Sequence, residues 1–166
     1  MGVNRDKPYI YILPEDDADN DLATGFAKGV VELQRQRQMQ VLPVARGWKK
    51  VLSLFESVHI ALMDANPNQY IVLVINFDGK EKYRRKKAEA VIPPRLTERV
   101  FVLGVLTEPE DLKRANLGSP ETVGEALAKV CRREIDTIWE HPLLRHNASE
   151  LDRLRQHVRL ILFSPI

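Results

Sequence analysis

Residues 70–75 read YIVLVI, six positions in a row without a charge. A run so short and so rich in β-branched residues offers no polar side to water, so it predicts a strand covered on both faces. Residues 9–13 (YIYIL) and 100–106 (VFVLGVL) have the same character, and residues 39–44 give a weaker version. Strands of this kind need helices above and below them. That requirement confines the chain to an α/β architecture with the 70–75 strand at the sheet centre.

The segments between the strands supply the helices. Leu22, Phe26, Val30 and Leu33 recur at helical spacing after an acidic stretch suited to a helix N-terminus. A helix over about 48–63 places Val51, Leu52, Phe55, Val58 and Leu62 on one side, and Asn66-Pro67-Asn68 stops it. The segment 80–92 follows the central strand and ends at Pro93-Pro94. After the fourth strand, Thr107-Glu108-Pro109-Glu110 reads as a capped start to a short helix, and Ser119-Pro120 opens a longer one. Its stripe runs through Val123, Leu127, Val130, Ile135 and Ile138. A last helix carries Leu151, Leu154, Val158, Ile161 and Leu162. Strands separated by helices pair in parallel through crossovers. The expected fold is a three-layer, Rossmann-like α/β domain spanning 1–166, with a mainly parallel sheet of about four strands. Residues 8–110 hold the sheet core and 111–166 a C-terminal helical cap.

Composition narrows the class of function. The chain has 166 residues, enough for one full core without metal or disulfide staples. Its 25 basic and 23 acidic residues leave a formal charge of +2, too balanced for a general nucleic-acid coat protein. One cysteine, Cys131, excludes a disulfide framework and a cysteine-rich zinc site, and its place in an apolar helix reads as a buried thiol. His141 and His146 stand five apart, His59 and His157 share no pattern with them, and Trp48 and Trp139 read as filling core or helix-contact space. No stretch approaches the roughly 20 apolar residues of a membrane span. The N-terminal apolar run is too short for a secretory leader. The expected compartment is the cytoplasm, with no membrane partner.

Ligands of an open parallel sheet gather at the carboxyl ends of its strands. Here those ends carry acids: Glu15, Asp16 and Asp17 after the first strand, Asn76 and Asp78 after the third, Glu108 and Glu110 after the fourth. If the first and third strands are neighbours, Glu15, Asp16 and Asp78 converge, with Glu108 a further candidate. A divalent cation relieves the repulsion of clustered carboxylates, and all-oxygen ligands suit Mg²⁺ or Mn²⁺. Capping of the following helices accounts for the same acids. Directly after Asp78 comes KEKYRRKK, in which Lys80, Arg84 and Arg85 are candidates to hold phosphates of a nucleic acid; a solvated helix face is the alternative.

This pattern resembles the Toprim domain, the catalytic module shared by topoisomerases, primases and the overcoming-lysogenisation-defect type nucleases. Glu15 in YIYILPEDD matches the family's glutamate after the first strand. Asn76-Phe77-Asp78 after YIVLVI matches its Asp-x-Asp at the second acid, and QVLPVARGWKKVLSLFESVHIAL is similar to the strand, glycine turn and long helix between them. The likeness covers about residues 8–110. It departs at Asp16, where the family has glycine, and at Asn76, where it has aspartate. The resemblance implies Mg²⁺-dependent cleavage or transfer of phosphodiesters on nucleic acid. Glu15 would be the catalytic acid and base, Asp78 the main metal ligand, and Asn76 and Asp16 the auxiliary ones. With Asn76 neutral, a catalytically degenerate member is a second form of the same reading.

Two other readings stand beside it. Response-regulator receiver domains also carry acids after the first strand, and the likeness would make Asp78 a phospho-acceptor and Thr107 the hydroxyl after the fourth strand. Such a domain needs a fifth strand ending in lysine. The third reading is a non-catalytic interaction subunit that meets a protein partner through the C-terminal helices, whose end is apolar over 160–163.

Overall fold

The computed structural model describes residues 2–30, 33–132, 134 and 136–162. Ile135 and Phe163, both assigned above to apolar stripes, lie outside the described residues, as do the side chains of Leu33 and Val158.

Four strands form one all-parallel sheet: β1 (Tyr9–Pro14), β2 (Met39–Val41), β3 (Gln69–Val74) and β4 (Val100–Leu103). Their order is β2-β1-β3-β4, so the two longest strands are central and pair along their whole length, from Tyr9 opposite Gln69 to Pro14 opposite Val74. β2 stops short of the expected 39–44 because Pro43 has no N–H for the ladder. The chain nonetheless keeps beside β1, donating from Leu42 to Ile12, from Ala45 to Pro14 and from Arg46 to Glu15.

The helices cover both faces, as strands of this composition require. Ile10, Ile12, Val72, Val74, Phe101 and Leu103 face one layer. That layer contains α1 (Asp17–Lys28), α2 (Leu33–Gln36), α6 (Glu110–Arg114), α7 (Pro120–Cys131) and α8 (Ala148–Leu162). Tyr9, Tyr11, Leu13, Ile71, Leu73 and Ile75 face the other. There lie α3 (Trp48–Leu54), a π-helical turn (Phe55–His59), α4 (Ile60–Ala65) and α5 (Glu81–Val91). The C-terminal helices are thus part of the α1 layer. Gly25 and Gly124 permit their close approach: a β-carbon on Gly25 would fall 1.9 Å from the Glu121 carbonyl oxygen, and one on Gly124 1.8 Å from that of Leu22. No helix among the described residues is long and apolar enough to cross a membrane.

Other boundaries also differ from the sequence reading. β4 stops at Leu103, short of the expected 100–106. The first helix ends at Lys28, where the chain turns at Gly29, so Leu33 belongs to α2. The stripe assigned through Ile138 also breaks, since α7 ends at Cys131 and Ile138 begins a separate 3-10 turn. In the helix after Trp48, the π turn admits an extra residue and rotates everything beyond it. Phe55, His59 and Met63 therefore point inward, while Val58 and Leu62, expected on the buried side, are 42% and 38% exposed.

Candidate functional site

Strand order reverses between β1 and β3, the position at which a doubly wound sheet opens a crevice at its carboxyl edge. The residues leaving those strands meet there. Glu15 accepts hydrogen bonds from the backbone N–H of Asn76 at 3.0 Å and from its side-chain Nδ2 at 3.4 Å. The same Nδ2 donates to Asp16 Oδ2 at 2.8 Å, while Asp16 Oδ1 caps α1 by accepting from the Asp19 N–H at 3.0 Å. The amide of Asn76 therefore bridges the carboxylates of Glu15 and Asp16.

Burial governs the electrostatics. The Glu15 carboxyl is raised above its ordinary range chiefly by desolvation, against the opposing hydrogen bond from the Asn76 backbone; Asp16 raises it further and Arg84 lowers it. Asp19, which no sequence signal singles out from its acidic neighbours, is 1% exposed, and neither of its oxygens has a hydrogen-bond donor. Desolvation, followed by the charge of Asp16, pushes it up to about 9. Burial thus favours the neutral acid form of Asp19 beside the Asp16 carboxylate.

Asp78 does not join this group. Asp78 and Gly79 both adopt left-handed backbone angles, φ 49° and 71°, in a turn fixed by donation from their N–H groups to Thr107 and Leu106. The turn leaves the Asp78 side chain 54% exposed, 3.5 Å from Arg84 Nη2. Arg84 reaches back from α5 to donate to the Asn76 carbonyl at 2.6 Å, and its guanidinium lies 4.8 Å from the Trp48 ring centroid. Glu108 is exposed at the entry to α6. Thr107 donates its hydroxyl proton to Asp111 at 2.6 Å.

The basic run separates into two populations. Lys80 stands exposed at the start of α5. Arg85 is turned inward: it donates to Glu81 at 2.5 Å, to the Val102 carbonyl at 2.7 Å and to Asn147 at 3.4 Å, over the ring of Phe77. Those bonds take Arg85 into the frame of the protein. Fully buried Asn147 completes that frame by holding both backbone groups of Gly104, accepting from its N–H at 3.1 Å and donating to its carbonyl at 2.9 Å. His146 Nε2 lies 2.7 Å from the same carbonyl, with its ring edge-on to Phe77. Neither residue carries a local signal that would betray this role.

His59 and Cys131 are built into the core, while His141 and His157 are half-buried. His59 packs against Tyr11, His157 lies beside Tyr70 and Phe101, and burial pushes the Cys131 thiol up to about 12. Trp139 is buried, as expected, and its Nε1 donates to the Val123 carbonyl at 3.0 Å. Trp48 is only half-buried and sits between the crevice and α5.

The donor set can be tested against the expected cation. Oxygen atoms suit Mg²⁺ or Mn²⁺, but what faces Glu15 and Asp16 is an N–H donor, with the side-chain Oδ1 of Asn76 buried and without a partner. Among the described residues no three acidic, histidine or cysteine side chains stand where they could hold a metal ion together. As arranged, the residues do not fit the ion. Comparisons with protein-family models, with curated proteins and with solved structures find no match.

Proposed function

We propose that the chain is a Toprim-like domain in its degenerate form: a nucleic-acid-binding module in which an asparagine amide occupies the place of a cation. The observation that carries this reading is the bridge from Asn76 Nδ2 to both Asp16 and Glu15 across the β1–β3 crevice. A neutral donor between two carboxylates relieves their repulsion, which is the task a divalent ion would otherwise perform. Binding is supported by the cationic surface that begins at the crevice mouth, where Arg84 joins Asn76 to Trp48 and exposed Lys80, Lys82, Lys86 and Lys87 follow along α5. Phosphodiester cleavage through Asp78 and Mg²⁺ has less support, because the Asp78 carboxylate meets Arg84.

Fluorescence anisotropy with labelled DNA and RNA, at two salt concentrations, tests the reading on the wild type and on Lys80→Glu/Lys82→Glu. The expected result is salt-sensitive binding, weakened in the variant with a shallower salt slope. Absence of binding at low salt would overturn the nucleic-acid role. Plasmid nicking in Mn²⁺ that Glu15→Gln abolishes would overturn the degenerate part.

The receiver-like alternative has fewer supports. The sheet has four strands among the described residues, and Thr107 is engaged by Asp111. The interaction-subunit alternative keeps one observation in its favour, Leu160 on α8 at 65% exposed.

A further inference from the structure

The crevice opens onto a surface whose composition is unlike that of a plain solvated helix face. Trp48, the first residue of α3, and Tyr83, in the first turn of α5, approach edge-on with ring centroids 6.3 Å apart. Tyr83 is 54% exposed, the most exposed aromatic side chain in the described chain. Each ring carries a lysine: Lys49 Nζ lies 5.8 Å from the Trp48 centroid and Lys87 Nζ 5.6 Å from that of Tyr83. Between the helices runs an open groove of about 300 Å³ with Leu52 and Val91 among its lining residues. Lys49 and Lys87 line it, and the same two helices carry exposed Lys50 on α3, Lys82 and Lys86 on α5, with Lys80 at the N-cap of α5. The acids are fewer: Glu56, which lines the groove, Glu89 on α5, and Glu81, which is held by Arg85.

Cations alone would attract any polyanion. An exposed tyrosine in their midst adds selectivity, because a duplex hides the faces of its bases whereas a single strand presents them for stacking. Arg84 ties this surface to the crevice, since one guanidinium contacts Trp48, Asp78 and the backbone of Asn76. We propose that the α3–α5 groove is a single-strand platform, with a base stacked on Tyr83 beside Trp48 and the flanking phosphates held by Lys49, Lys80 and Lys87. This proposal rests on the nucleic-acid reading above and names the form of nucleic acid.

The test is anisotropy of a labelled oligonucleotide of about 12 nucleotides, matched to single-strand site sizes, against a duplex of the same sequence. The wild type is expected to prefer the single strand. Tyr83→Ala is expected to weaken single-strand binding about tenfold with the salt slope unchanged, Tyr83→Trp to restore it, and duplex binding to stay constant in both. Single-strand binding is also expected to quench Trp48, since Trp139 is buried. Equal single-strand affinity in Tyr83→Ala and wild type, with Lys80→Glu/Lys82→Glu still weakened, overturns the platform while the nucleic-acid reading survives. Tighter binding of the duplex, or of an acidic peptide, also overturns it. If the wild type binds none of these, both readings fall together. Tyr83 lies at the surface, so a thermal melt of each variant is expected to match the wild type and separates lost stacking from lost folding.

Discussion

Asn76 and Asp16, sixty residues apart in the chain, are joined by a 2.8 Å hydrogen bond from the asparagine amide to the carboxylate. The parallel pairing of β1 with β3 brings them together, and the amide holds two acids side by side without an ion. Replacing Asn76 by aspartate removes the donor and adds a third negative charge. In chelator, Asn76→Asp should lose about 2–3 kcal/mol from the missing charge-assisted hydrogen bonds. Mn²⁺ should then raise its melting temperature while leaving that of the wild type unchanged. Thermal melts with and without Mn²⁺ check this, and a variant as stable as the wild type in chelator would show that the bridge contributes nothing.

Asp19 makes a statement about pH. Its carboxyl titrates at about 9 in the folded chain, against an ordinary value of 3.8, so the folded state holds the proton more tightly. The stability it contributes is fully present below about pH 4 and is lost as pH rises toward 9. Glu15, also raised, works in the same direction. The wild type should therefore lose stability across that window. Asp19→Asn, which keeps a neutral donor beside Asp16, should lose less, so that its advantage is largest at the alkaline end. Denaturant midpoints at several pH values measure this; an advantage independent of pH would contradict it.

Arg85 and Lys80 should separate cleanly. Arg85→Ala strips donors from Val102, Glu81 and Asn147 and should cost about 2–4 kcal/mol. Lys80→Ala removes an exposed side chain and should change stability by less than about 0.5 kcal/mol. Oligonucleotide binding should show the reverse order once both proteins are compared well below their melting temperatures. A loss of affinity in Arg85→Ala with unchanged stability would return Arg85 to the binding surface.

Close packing of α1 on α7 depends on a missing side chain. Gly124→Ala would put a β-carbon 1.8 Å from the Leu22 carbonyl oxygen, within contact that only movement of a whole helix can relieve. The expected cost is about 3 kcal/mol, read as a lowered denaturant midpoint. Gly79→Ala is the contrasting case, with open space around it but a φ of 71° to maintain, and should cost about 1 kcal/mol.

The layers of this protein follow from its residue pattern alone. YIVLVI and YIYIL had to be covered on both sides, whatever the rest of the chain did, because an uncharged strand cannot present a face to water. The intervening helices then made the strands parallel, and the acids after the first and third strands fell at the edge where such sheets bind ligands. Which acids meet depends on how the strands pair and turn in the folded chain. Strand pairing joined Glu15, Asp16 and Asn76 over some sixty residues, while a left-handed turn carried Asp78, two positions beyond Asn76, away to Arg84. The same holds for Arg84 and Arg85, adjacent in a basic run: one step around α5 sends the first over Trp48 and the second onto Val102 and Asn147. Periodicity reports whether a residue faces the core. It carries no information about which distant groups a side chain finds there, because that depends on backbone angles and neighbours supplied by other parts of the chain.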